Sequence, residues 1–387
     1  MAGALRAAEP GPPDGNMIAH PTRAAGLARL AEFAPHMGRD YAAHRNSDGG
    51  PGNRCVSGLS PHLRHRLLDE AELVRTALDQ HGPVRAEKFI QEVFWRSYWK
   101  GSLELRPQMW AEYRAAVAAT RDNVGLRQAM EGRTGIECFD AWVAELTATG
   151  WLHNHTRMWF ASIWIFTLRL PWHMGAEFFL HHLADADAAS NTLSWRWVAG
   201  IQTPGKHYLA RADNIARYTE GRFDPRGDLN EAAEPIDAPP PPNAGPLPPA
   251  DTIPTGPVAL LLHEQDLGFF PEGAQVARVA ALAPANDRSI WGVGDVARDF
   301  THGAVMDALG RAGGTPRLVA PDEISDWAAG LPTITPWVPV GWTADRLRGV
   351  ALRRVRRPWD TACWPLARRG FFPFRENIPR LIAELLP

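Results

Sequence analysis

LPWHMGAEFFLHHLADADAASNTLSWRW, residues 170–197, follows GWLHNHTRMW at 150–159. The later stretch carries two aspartates two apart, Asp185 and Asp187, then Asn191 four further on, then Trp195 and Trp197. Aspartate ahead of a run of alanines is a helix start, because its carboxylate accepts the free N–H groups of the first turn. The same carboxylates, with an amide one turn on and indoles beyond, also make a polar edge beside a flat apolar wall. The chain holds 16 Trp against 5 Tyr. Such an excess suits core bulk and interface anchoring, and equally stacking on flat rings or passage of electrons between indoles.

Outward from this stretch the pattern stays helical. AEKFIQEVFWRSYWKG, FDAWVAELTATGWL and RMWFASIWIFTLRL repeat apolar residues at helical spacing. Glu92 and Arg96 stand one turn apart, as an exposed ion pair would. Ser57 and Ser60 precede a short helical segment. This reads as Ser60 capping with Pro61 in the first turn, or as hydroxyls and N–H groups gathered for an anion.

At 232–256, AAEPIDAPPPPNAGPLPPADTIPTG marks a boundary, since proline stiffens the chain and removes donors. Beyond it PVALLLH, RSIWGVG and PRLVA read as short buried strands, with QVARVAALA, GAVMDALGRAG and ISDWAAGL as helices between them and a closing helix in ENIPRLIAELL. The expected organisation is a tail at 1–16, a helical domain at 17–225, a Pro-rich linker at 226–256 and a small α/β domain at 257–387, mainly α overall. A net charge of -2 excludes a wholesale nucleic-acid binder and leaves DNA contact to a local patch. Three scattered cysteines form no disulfide or metal framework. No secretory leader or membrane span is read, so a cytoplasmic protein is expected.

The blocks Gly150-Trp151-Leu152-His153-Asn154, Arg157-Met158, Trp172, Asp185-Ala186-Asp187, Asn191 and Trp195-Arg196-Trp197 resemble the photolyase/cryptochrome family in identity and spacing. Tyr41, Arg45, Val56-Ser57-Gly58-Leu59-Ser60-Pro61 and the Phe-Asp-Pro at 223–225 extend the resemblance across about 40–225. It implies a photolyase-type FAD-binding helical fold. FAD would be held by Tyr41, Ser57, Gly58, Leu59, Ser60, Arg157, Asp185, Asp187 and Asn191. It implies an electron relay through Trp195 and Trp172, with Ala119 at the family's distal position and Trp110, Trp142, Trp159 or Trp164 as substitutes. Glu92, Trp95, Asn154, Met158 and Trp197 match the cavity in which repair enzymes of the family take a pyrimidine dimer. Arg45, Arg96 and His155 are the implied DNA contacts. Val56 stands where the family usually has Thr, His155 where repair enzymes carry Arg, and Ala144 where Arg is common.

The implied activity is light-driven electron transfer from reduced FAD to a cyclobutane pyrimidine dimer in damaged DNA. The alternatives are a blue-light photoreceptor signalling to a protein partner, and a flavin-domain relic serving as an interaction module. The family's α/β antenna domain would precede the flavin domain. Here an α/β-like segment follows instead, as a permuted stand-in.

Three lesser signals remain. His153, His155, His181 and His182 lack the carboxylate or thiolate company of a metal site, and no metal is expected. Gly292-Val293-Gly294-Asp295-Val296-Ala297 has the form of a dinucleotide turn, without the acidic residue that should follow, and reads as a tight βα turn. Arg346, Arg348, Arg353, Arg354, Arg356 and Arg357 read as a solvated helix face.

Overall fold

The computed structural model describes residues 18–50, 55–313 and 315–386; the expected tail at 1–16 lies outside them. Helices Glu70–Arg85, Glu87–Glu104, Gln108–Ala119, Glu137–Thr149, Asn154–Ser162, Trp172–His182 and Ala188–Val198 form the bundle around which the rest is built. One large apolar cluster runs through them, with Phe94, Phe139, Trp142, Trp159, Trp164 and Leu193 fully buried. The Asn154–Ser162 helix continues into a π-helical turn, Ile163–Thr167, closed by Leu168 N–H donating to the Ile163 carbonyl. That wider turn sets Trp164 beneath Trp195.

Residues 219–256 run as an extended strap without regular structure beyond turns. The strap is fastened at intervals: Ile236 N–H donates to the Ala199 carbonyl, Gly245 N–H to that of Leu105, and Arg106 Nε to the Pro242 carbonyl at 2.9 Å.

Beyond the strap, five parallel strands lie in the order β3-β2-β1-β4-β5. They are β1 Pro257–Leu262, β2 Gln275–Leu282, β3 Leu318–Val319, β4 Thr333–Pro336 and β5 Arg353–Val355. β1 is central and buried on both faces, which is why it reads as an unbroken apolar run rather than an alternation. Val258, Leu260 and Leu262 pack with the Asp295–Ala312 helix on one side. Ala259 and Leu261 face Trp327 and Ile324 on the other.

The helices that end the chain do not stay with the sheet. Trp359, Trp364, Phe371, Phe374 and Leu381 join the bundle's own cluster. Gly101 marks the closest approach: a Cβ there would stand 2.7 Å from Trp364 Cα.

Several sequence expectations are corrected here. QVARVAALA is the strand β2, not a helix. Its alanines favour helix locally, but pairing with β1 along six positions supplies the tertiary partner that overrides propensity. RSIWGVG is a loop. Its backbone is claimed by the bundle: Ile290 N–H donates to Glu177 Oε1 at 2.6 Å and Gly294 N–H to the His181 carbonyl. No strand immediately precedes Gly292 and Gly294, and the Gly294 N–H is already taken by the His181 carbonyl. The arginine run is not a helix face. Arg353–Val355 forms edge strand β5, Arg346 binds the Ala283 carbonyl, Arg356 lies over Trp337 and Arg357 pairs with Asp266.

Candidate functional site

A cavity of about 580 Å³ opens in the bundle, within the range of roughly 300–1,000 Å³ usual for small-molecule sites. Three helices build it. On Glu87–Glu104, residues 92, 95, 96 and 99 share one face at i, i+3, i+4 and i+7 spacing. Asn154–Ser162 contributes Asn154, His155, Arg157, Met158 and Ala161. Ala188–Val198 contributes Ser190, Asn191, Ser194, Trp195, Trp197 and Val198. Leu183, Asp185, Ala186 and Asp187 also line it, with Ser60, Leu63 and Arg64.

The polar edge is firmly built. Arg157 donates to both Asp185 oxygens, at 3.0 and 2.8 Å, and its Nε to the Leu152 carbonyl at 2.9 Å. Asp187 caps the Ala188–Val198 helix, accepting from the Ala189 and Ser190 N–H groups at 3.0 Å. It also meets Lys100 Nζ at 2.8 Å and Arg96 at 3.4 Å. Burial alone would raise its pKa, but Lys100 and Arg96 pull it well below the usual carboxylate range. The capping reading and the cavity reading of Asp187 are thus both true of one side chain. Asn191 Nδ2 donates to the Ala176 carbonyl at 2.7 Å, which fixes the amide plane at the cavity wall.

The apolar wall is Trp195, set edge-on to Trp164 and Phe179 with ring centroids 6.2 and 5.1 Å away. Gly175 makes room for it, since a Cβ there would lie 2.3 Å from the Trp195 ring. Trp172 stands half-buried beside Tyr113, at 5.9 Å, and Tyr113 beside Trp110, at 5.3 Å. Of the residues named to replace the missing distal indole, Trp110 therefore connects to Trp172, through a tyrosine. Trp164 touches Trp195 but is fully buried, and Trp142 and Trp159 stack on each other inside the core. Ala119 is exposed at its helix end.

Glu92, also lining the cavity, pairs with Arg45 at 2.6 Å. The Glu92–Arg96 surface pair suggested by spacing is absent; Arg96 turns inward to Glu70 and Asp187 and is only 10% exposed. Arg96 is thus a wall residue whose charge is already matched, not one offered to a phosphate. Burial raises the Glu92 pKa, against the opposing pull of Arg45. His155 stacks on Trp159 at 4.3 Å, and its ring nitrogens meet the Asn46 carbonyl and the Tyr208 hydroxyl. Burial lowers its pKa, so it presents a neutral ring. Trp197 stacks with Tyr208 at 5.9 Å. One face of Trp95 is covered by Phe371, parallel within 10° and 3.6 Å away.

Tyr41, Ser57, Gly58 and Leu59 do not line the cavity. Tyr41 packs edge-on to Phe89. The Ser57 hydroxyl accepts from Leu59 N–H, and its carbonyl accepts from Arg29. Gly58 takes φ +67° at the turn, and Leu59, not Ser60, occupies the cap position. Ser60 alone of that segment's hydroxyls reaches the cavity. Lys100 and Arg64 were not anticipated. Lys100 could have been found, since it continues the 92–96 face by one more turn; Arg64 could not, because its partner lies 200 residues away.

Among the described residues no group of three or more His, Cys, Asp or Glu side chains is arranged to hold a metal, and no helix is long and apolar enough to cross a membrane.

Residues 89–231 match the family described as the FAD binding domain of DNA photolyase. A deoxyribodipyrimidine photo-lyase of Streptomyces griseus is 37% identical over 178 residues, 45% of this chain and 38% of that protein. One from Vibrio cholerae is 29% identical over 211 residues, 52% of this chain and 44% of that protein. The chain thus spans about two-fifths of the length of these curated relatives. Among solved structures, a Synechocystis cryptochrome is 26% identical over 51% of this chain and 43% of its own, with a TM-score of 0.46.

Proposed function

We propose that this chain, whose residues 89–231 match the FAD binding domain of DNA photolyase, is a light-driven flavoprotein that splits cyclobutane pyrimidine dimers in DNA. The observation that carries the reading is a single cavity lined by the Asp185–Arg157 pair, Asp187, Asn191 and Trp195 together with Glu92, Asn154, Met158 and Trp197. The donor set suits FAD. The half-buried Arg157 guanidinium, itself matched by the Asp185 carboxylate, would face the negative charge of a reduced flavin held in this cavity. Asn191 offers a neutral amide able to donate or accept, and Trp195, Phe179 and Leu183 keep the ring's surroundings dry.

FAD, when bound, supplies the excited electron. The chain's residues do the rest. Trp197 offers a stacking surface, and a flipped-out lesion needs one to offset lost base stacking. Glu92, with its pKa raised by burial, can keep a proton to donate to a thymine carbonyl as that oxygen gains charge. Asn154 and Met158, on the first two turns of one helix, border the same space. We assign Trp195 and Trp172 as the path along which an electron would refill the cofactor: Trp195 lines the cavity, and Trp172 is half-buried beside Tyr113. Trp172→Phe is expected to slow photoreduction of the bound flavin strongly while leaving FAD content unchanged. An unaltered rate by transient absorption would remove Trp172 from the path.

The reading is tested on the purified full chain by its absorbance and by illumination with a dimer-containing oligonucleotide. Flavin absorbance and recovery of monomeric thymine are expected. Colourless protein that takes up no added FAD would sink the proposal. The photoreceptor reading has one observation in its favour: Phe371 already occupies a face of Trp95. Under it, light alters flavin absorbance but the dimer persists.

A further inference from the structure

Arg64 is 1% exposed, yet lines the cavity. Its Nε donates to the Ala186 carbonyl at 2.7 Å, between the two aspartates of the polar edge. Its other nitrogens reach into the sheet-bearing part of the chain. Nη1 donates to the Glu264 carbonyl at 2.5 Å and Nη2 to Glu264 Oε2 at 3.3 Å. Glu264 follows β1 at the carboxyl end of the sheet. Its other oxygen accepts from Trp342 Nε1 at 2.6 Å, and the Arg64 guanidinium lies over the Trp342 ring at 5.3 Å.

The charge balance singles this contact out. Asp185 is engaged in both oxygens by Arg157, and Asp187 by Lys100, Arg96 and two backbone N–H groups. Glu264 is the carboxylate in ion-pair contact with Arg64. A second buried guanidinium, Arg288, feels the same carboxylate, and its Nε and Nη1 lack hydrogen-bond partners. A guanidinium in a poorly solvated wall needs a neutralising partner, and its uncompensated field reaches far in low dielectric.

We propose that Glu264 is a positioning residue for the cavity: it holds and neutralises Arg64, so that the α/β part of the chain sets the reduction potential of the group bound in the helical part. The inference rests on the reading that this group is FAD. It assigns the sheet a role that needs no second chromophore. The carboxyl end of β1, beside the strand-order switch where α/β sheets commonly seat ligands, is filled here by His263, Glu264, Gln265 and Asp266 with their partners. Through Arg64 it acts on the neighbouring site instead.

The charge fixes the sign. Glu264→Gln removes one negative charge while keeping shape and an amide that can still meet Trp342. Arg64 and Arg288 are then undercompensated, which favours added negative charge nearby. The midpoint potential of the bound flavin is expected to move to more positive values. Arg64→Gln is expected to move it to more negative values. The two shifts should fail to add in the double variant, because each removes the other's partner.

The measurement is a redox titration of the FAD-loaded full chain, followed by absorbance, with thermal melting recorded alongside. A merely structural contact would lower the melting temperature and leave the potential in place. If Glu264→Gln yields no folded protein, Arg64→Gln decides alone: a more negative potential supports the inference and an unchanged one overturns it. Wild-type protein that takes up no FAD overturns the functional reading itself. FAD-loaded wild type whose potential is matched by every folded variant overturns only the role of Glu264.

Discussion

Glu92→Ala is expected to cut light-driven dimer splitting about 10²-fold, the usual cost of deleting one preorganised donor to developing charge, while FAD content and photoreduction stay as in wild type. Glu92 lines the same cavity as the Asp185–Arg157 pair, on the helix face that also carries Trp95. Burial raises its pKa, and Arg45 at 2.6 Å opposes the rise. If the protonated carboxyl is the working form, activity is greatest at low pH and falls as pH climbs through the raised pKa. Glu92→Gln keeps an N–H donor at the same reach. It should restore most of the activity and flatten that acid-to-neutral profile. Splitting rates unchanged in Glu92→Ala would remove the residue from the chemistry. Loss of FAD in that variant would recast it as a wall residue.

Asp187→Ala is expected to destabilise the fold by about 3–5 kcal/mol, the range for breaking a buried ion pair from one side. Two effects coincide there. The Ala188–Val198 helix loses its cap, worth about 1 kcal/mol by itself. Lys100, buried in the bundle, loses its 2.8 Å partner and stays behind as an unmatched charge. Denaturant unfolding at neutral pH measures the loss, and Asp187→Asn, which keeps a cap acceptor, should retain part of the stability. The sign of the pH effect follows from a folded pKa held below its unfolded value. The contribution is fully present above the ordinary aspartate pKa near 3.9. It drains away as pH falls below that, toward the depressed folded value. The acid limb of wild-type stability should therefore be steeper than that of Asp187→Ala. Equal limbs, or a loss under about 1 kcal/mol, would mean Lys100 finds another partner.

How far the site was legible varies by residue. The polar edge was readable because Asp185, Asp187 and Asn191 lie within one loop and the first turn of one helix, so their spacing dictates their geometry. The face bearing Glu92 and Trp95 was readable for the same reason. Arg96 was misjudged: helical spacing offered Glu92 as its partner, but Glu70 and Asp187 lie closer in space. The resemblance puts Trp95 in the dimer cavity but gives no sign that Phe371, 276 positions later, covers one side of its ring. Ser57 and Tyr41 were named with the cofactor contacts and sit apart from the cavity, engaged with their own surroundings.

By itself the sequence determined the helices, through apolar residues recurring each turn, the capped start at Asp187, the proline strap and the central strand β1. Each of these is a short-range property, settled by dihedral preference, side-chain spacing and the need to satisfy backbone groups within a few residues. Only the tertiary structure decided that an alanine-rich segment becomes β2, that Lys100 answers Asp187, and that Glu264 and Phe371 reach across to Arg64 and Trp95. Those outcomes depend on which distant surfaces must bury apolar area or match a charge, and no local pattern encodes the identity of the partner.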